Sequence, residues 1–147
     1  QAYRTQWILS RQLHHEETQY DIALRLRADS IDSLNQVEIR QILKEHGFPK
    51  KTEVGTSACE AAWIIIQHAP LDVQKEYLPM LERAATEGNI QAALVAALHD
   101  RIDVREGRPQ KYGTQRNRNG ICPLLNKKMV NQWRKEVGLP PLDEYSK

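Results

Sequence analysis

The chain has 147 residues, enough for one domain with a buried core, and its 40% hydrophobic and 27% charged content is that of an ordinary soluble globular protein. Its longest apolar block, Ala61–Ile66, is far short of a membrane span, and Cys59 and Cys122 are too few for a disulfide framework. The net charge is only +2, but residues 105–128 hold seven cations (Arg105, Arg108, Lys111, Arg116, Arg118, Lys127, Lys128) against one acid, Glu106. That imbalance points to an anionic ligand, nucleotide, nucleic acid or acidic partner, or else to a loop that is basic for solubility.

The chain opens at Gln1 rather than methionine, as a trimmed chain or a mature chain relieved of a leader would. The compartment and oligomeric state stay open. An N-terminal helical segment is expected over 1–30, with Trp7, Leu13, Ile22, Leu24 and Leu26 as its apolar positions and a possible break at His14–Glu17. The adjacent His14 and His15 lack the i,i+4 spacing one metal ion prefers and read as surface. A second helix should begin near Asp32 or Ser33, turn Leu34, Val37, Ile42 and Leu43 inward, and stop at Gly47.

Ser57 and Glu60 fit a capping box at the start of a third helix, which is apolar on nearly every side through Trp63–Ile66 and is the expected core helix. Cys59 reads there as a small core residue. A fourth helix should start near Asp72 and run to Gly88, kinked or split at Pro79. An alanine-rich fifth follows over about 89–102. The polar stretch 103–126 is long for a loop in a compact domain, and such loops are functional or disordered. A last helix over about 127–137 should bury Val130 and Trp133 and stop at Gly138, with the tail packing through Leu139 and Leu142. The expected fold is all-α: five to seven helices in one domain, as an irregular bundle or superhelical stack.

Three groups of polar residues stand out. His68, at the end of the greasiest helix, is either a general acid or base or a core histidine bonded to a backbone carbonyl; Gln67 beside it is a capping or bridging amide. Asp100 and Arg101 end the alanine-rich helix. The arginine suits a phosphate or carboxylate and the aspartate suits orienting an imidazole, unless the two are an ordinary helix-end charge pair. Gln110, Tyr112 and Gln115 lie in a glycine-containing loop that either lays donors over a ligand or satisfies helix ends. No Walker loop, dinucleotide fingerprint, HExxH, GxSxG or calcium loop is present, so no metal or cofactor is expected.

VGTSACEAAWIIIQHA, HDRIDVREGRPQKYGTQ and GLPPLDEY, with Asp32, Asn35 and GFP at 47–49, resemble an uncharacterised family of bacterial domains marked by QHA and YGTQ motifs. The resemblance covers about 32–145. It departs at Phe48, where tryptophan is usual, and at Pro70-Leu71, where an aspartate is common. Its motif positions fall on Gln67, His68, Asp100, Arg101, Gln110, Tyr112 and Gln115, which implies a site. The leading expectation is a hydrolase or transferase acting on a phosphate-bearing substrate: His68 as acid or base, Asp100 orienting it, Arg101 stabilising negative charge, and Gln67, Gln110, Tyr112 and Gln115 binding substrate. The alternative is a non-catalytic helical module that contacts an acidic partner or nucleic acid through residues 105–128. A third is an effector or toxin domain released from a longer polypeptide.

Overall fold

A computed structural model describes residues 19–142; the expectations for Trp7, Leu13, His14–Glu17 and the tail beyond Leu142 lie outside them. The protein is mostly helical: α1 (Gln19–His46), α2 (Lys51–Val54), α3 (Thr56–Gln67), α4 (Leu71–Thr86), α5 (Ala92–Arg105) and α6 (Val130–Glu136). A short antiparallel hairpin, β1 (Arg116–Asn117) and β2 (Gly120–Ile121), interrupts the helices. The chain forms two compact units, residues 1–44 and 45–147. No helix among the described residues is long and apolar enough to cross a membrane.

In the first unit, one continuous helix replaces the two expected. Neither glycine nor proline falls between Ala28 and Ser33, so nothing breaks the backbone. The serines that look like caps bond back into the helix instead: Ser30 Oγ donates to the Leu26 carbonyl and Ser33 Oγ to that of Asp29. Asp21, Leu24 and Ala28 form the buried stripe. Leu43 is buried as expected, whereas Leu34 (71% exposed), Val37 (70%) and Ile42 face outward, against expectation.

In the second unit, α3, α4 and α5 pack in sequence. The expected capping box at Ser57 does not form. The short α2 ends at Gly55, whose φ of 82° turns the chain, and α3 begins at Thr56 with no side-chain cap, leaving Ser57 in its first turn. Cys59, Ala62 and Ile66 are buried, while Trp63, Ile64 and Ile65 are half-buried. Trp63 Nε1 ties the helix to α5 by donating to the Leu94 carbonyl (3.0 Å). Helix α4 is not split at Pro79. It presents Val73, Gln74, Tyr77, Leu81 and Ala84 to the core and forms a helical hairpin with α5. Its end is a Schellman motif: Asn89 N donates to the Ala84 carbonyl and Gly88 N to that of Ala85, with Gly88 left-handed at φ 76°. The same arrangement at Gly138 stops α6 where expected.

The polar stretch after α5 is built rather than open. Gln110 pairs with Leu124 as a parallel bridge, and the hairpin projects beyond that bridge. Val130 is buried, Trp133 half-buried, and Leu142 packs back on the loop. Gly113 marks the closest approach. A Cβ there would lie 3.0 Å from Leu142 Cδ2 and 3.1 Å from Leu124 Cδ2, at a left-handed φ of 69°. Gly113→Ala should therefore lower unfolding free energy by about 2–3 kcal/mol, against about 1 kcal/mol for Gly138→Ala, whose Cβ meets open space. Urea denaturation of the two variants measures the difference.

Candidate functional site

Asp100 lies on the face of α5 beneath this loop and is 0% exposed. An isolated buried carboxylate is costly, so its oxygens need donors. The loop supplies four at 2.9 Å. Lys111 N and Tyr112 N donate to Oδ1, and Thr114 N and Thr114 Oγ1 to Oδ2. The backbone of 111–114 thus wraps a fixed anion, and Gly113 supplies the turn that aims successive N–H groups at it. Arg134 stands behind. Its guanidinium donates to the carbonyls of Tyr112 and Pro140, both at 2.6 Å. Burial draws that guanidinium below the ordinary arginine value, while the charge of Asp100 acts in the opposite direction.

Gln110, also 0% exposed, holds the hairpin at its base. Its Nε2 donates to the carbonyls of Gln115 and Cys122, one on each leg, and its Oε1 accepts from Gln115 N (2.8 Å). Its own backbone completes the bridge, Gln110 N donating to Pro123 O and Leu125 N to Gln110 O. Gln115 Nε2 reaches the Ala97 carbonyl on α5 and Thr114 Oγ1. Tyr112 is half-buried, and Lys111 Nζ sits 5.0 Å from its ring centroid and 5.3 Å from that of Trp133.

Gln67 and His68 occupy a different place, the joint between α3 and α4. Gln67 is buried and His68, the α3 C-cap, is exposed. Free carbonyls at the end of α3 are taken by side chains: Gln74 Nε2 donates to Gln67 O (2.7 Å) and Arg105 Nη1 to Ala69 O (3.1 Å). The side-chain oxygens of Gln67 and Gln74 are buried without a hydrogen-bond donor. The structure therefore brings Asp100, Gln110, Tyr112 and Gln115 into one network, while Gln67 and His68 belong to the joint between α3 and α4. The loop meets α5 at Asp100 and the joint meets it at Arg105, roughly 7.5 Å apart along the axis. Arg101 is half-buried on α5, turned about 100° from Asp100.

Gln74 and Arg134 are the participants that the sequence did not single out. Both had a periodic signal. Gln74 shares the spacing of Tyr77, Leu81 and Ala84, and Arg134 that of Val130 and Val137, so both fall on inward faces. Cys59 is the buried core residue expected. Burial pushes its thiol up, and the charge of Lys51 acts against that.

Around the braced loop the charges divide into two sets. Arg108 is paired with Asp103 and Glu106, and Lys75 also binds Glu106. Arg116, Arg118, Lys127 and Lys128 are exposed, and no carboxylate among the described residues pairs with them. Arg118 sits in the tight turn of the hairpin, held by an Asn119 N to Asn117 Oδ1 bond of 2.8 Å. A hollow of about 310 Å3 opens beside the hairpin between Ile121, Pro123, Leu124, Val130 and Leu142, with Lys127 at its edge.

Fold and site together define a helical domain whose last two helices frame a carboxylate-braced loop and a cationic hairpin. Residues 11–147 match the model of a family of unknown function (DUF6624), and the chain belongs to that family. The match reaches further toward the N-terminus than the motifs alone suggested. No curated protein and no solved structure matches the chain.

Removing the Asp100 carboxylate strands three buried backbone N–H groups. Asp100→Ala should cost about 3–5 kcal/mol in urea unfolding, and His68→Ala, at an exposed helix end, less than about 1 kcal/mol.

Proposed function

We propose that this chain is a non-catalytic binding module whose basic hairpin takes an acidic segment of a protein partner. The observation that carries this reading is the contrast between the two sets of polar groups. Asp100 and Gln110 are wholly buried and committed to holding the loop, while Arg116, Arg118, Lys127 and Lys128 stand exposed with no carboxylate partner among the described residues. Between Gly107 and Lys135 the sequence has no acidic residue at all, a local excess of positive charge that favours an anionic partner.

The expected acid–base enzyme, with His68 as catalyst and Asp100 orienting it, has less support. A carboxylate that accepts four hydrogen bonds and has no exposed surface is poorly placed to orient an imidazole at another element's end or to position a water. Single-stranded nucleic acid also has less support than an acidic peptide. Base stacking calls for open aromatic faces, and the aromatic pair near this loop, Tyr112 and Trp133, is already covered by Lys111. Beside the hairpin there is an aliphatic hollow instead.

The test compares a fluorescein-labelled polyglutamate chain with a single-stranded DNA oligonucleotide of equal charge, by fluorescence anisotropy. Polyglutamate should bind and weaken steeply as salt rises. The double variant Arg116→Glu/Arg118→Glu should bind it about tenfold or more weakly at an unchanged melting temperature. Equal binding by the double variant, or binding of the oligonucleotide alone, overturns the reading.

A further inference from the structure

We propose that the hollow beside the hairpin is an anchor pocket: it receives one bulky apolar side chain of the acidic segment, while the cations around it hold carboxylates on either side. The inference rests on the binding reading above and adds the chemistry of the partner, a short linear segment with a leucine-, phenylalanine- or tryptophan-like residue flanked by aspartate or glutamate.

The walls of the hollow come from three places in the chain. Ile121 belongs to β2, Pro123 and Leu124 to the segment that bonds Gln110, and Val130 and Leu142 to α6 and the segment after it. At about 310 Å3 it has room for one large side chain and not for a folded element. Its placement among the charges is what identifies the occupant. Lys127 lines it directly. Arg116 is the cross-strand partner of Ile121, so the two side chains leave the same face of the hairpin. Lys128 follows Lys127 in the chain, and Arg118 stands at the hairpin tip. Among the described residues no acidic side chain lines the hollow, and Leu125 and Met129, its neighbours in the chain, are exposed large apolar residues. An apolar hollow with a cation in its wall and further cations on the adjoining hairpin is the complement of an apolar side chain flanked by carboxylates, and apolar contact at the centre with charge at the rim is the usual anatomy of a specific interface. The pocket is also held open from below. Gln110 fixes both hairpin legs and Asn131 Oδ1 accepts from Leu142 N (2.7 Å), so its walls are positioned before a partner arrives.

Two labelled peptides of twelve residues test this, each acidic throughout except at one central position, leucine in one and alanine in the other. The intact chain should bind the leucine peptide about tenfold or more tightly than the alanine peptide. Ile121→Ser removes one apolar wall without changing charge. It should shrink that ratio toward one while leaving the affinity for the alanine peptide in place. Arg118→Glu should weaken both peptides alike. Equal binding of the two peptides by the unaltered chain overturns the pocket and leaves the basic-hairpin reading standing. Binding of neither peptide overturns both. The peptide comparison on the unaltered chain decides the matter even if Ile121→Ser fails to fold.

Discussion

The second unit is organised around a buried negative charge. A carboxylate taken out of water is tolerated only when its lone pairs are matched, and the sequence meets that demand with three consecutive-turn N–H groups and one hydroxyl from 111–114. The dependence runs both ways. The loop has no helix or long strand to satisfy its own backbone, and Asp100 is the acceptor that orders it. Arg134 closes the arrangement from the other side by holding the carbonyls of Tyr112 and Pro140, which joins α6 to the same centre.

From that centre the order passes outward. Gln110 turns a fixed loop into a fixed hairpin, because one amide group bonds both legs and the bridge to Leu124 anchors it in the backbone. The hairpin is far shorter than an independently stable one, so its geometry is borrowed from Gln110 and the packing at Gly113. Charges are then sorted by position. The acids of this region, Asp103 and Glu106, sit at the end of α5, where Arg108 and Lys75 neutralise them, and hydrogen bonds from Lys75 and then Arg108 hold the Glu106 carboxyl below the usual carboxylate range. The hairpin and the segment leading into α6 carry only cations.

The joint between α3 and α4 is a second polar feature with a different logic. Its helix-end carbonyls are satisfied by Gln74 and Arg105, so the turn is clamped to both neighbouring helices. Two glutamine oxygens are buried there without a donor among the described residues, and His68 is exposed. The sequence places His68 on an apolar helix, where a core position is natural. It is exposed because α3 ends one residue earlier and the chain turns at Ala69-Pro70 toward α4.

Local chemistry determined much of this protein. Glycine at 47, 88 and 138 marks helix ends, alanine enrichment marks α5, and the absence of long alternation marks the all-α class, because each of these acts within a few residues. The same locality explains the failures. Ser33 and Ser57 have the chemistry of caps, but whether a hydroxyl caps or bonds back depends on where the backbone begins to coil. The polar residues of the QHA and YGTQ stretches were legible as a set. Their division into a buried brace and an exposed histidine was not, since burial depends on which distant segment covers a residue. Asp100 has the same composition-level signature whether it faces water or four donors eleven to fourteen positions away. Only the tertiary structure brings those donors to it, and only there do Ile121, Leu124, Val130 and Leu142, from separate stretches of the chain, come together with Lys127 around one hollow.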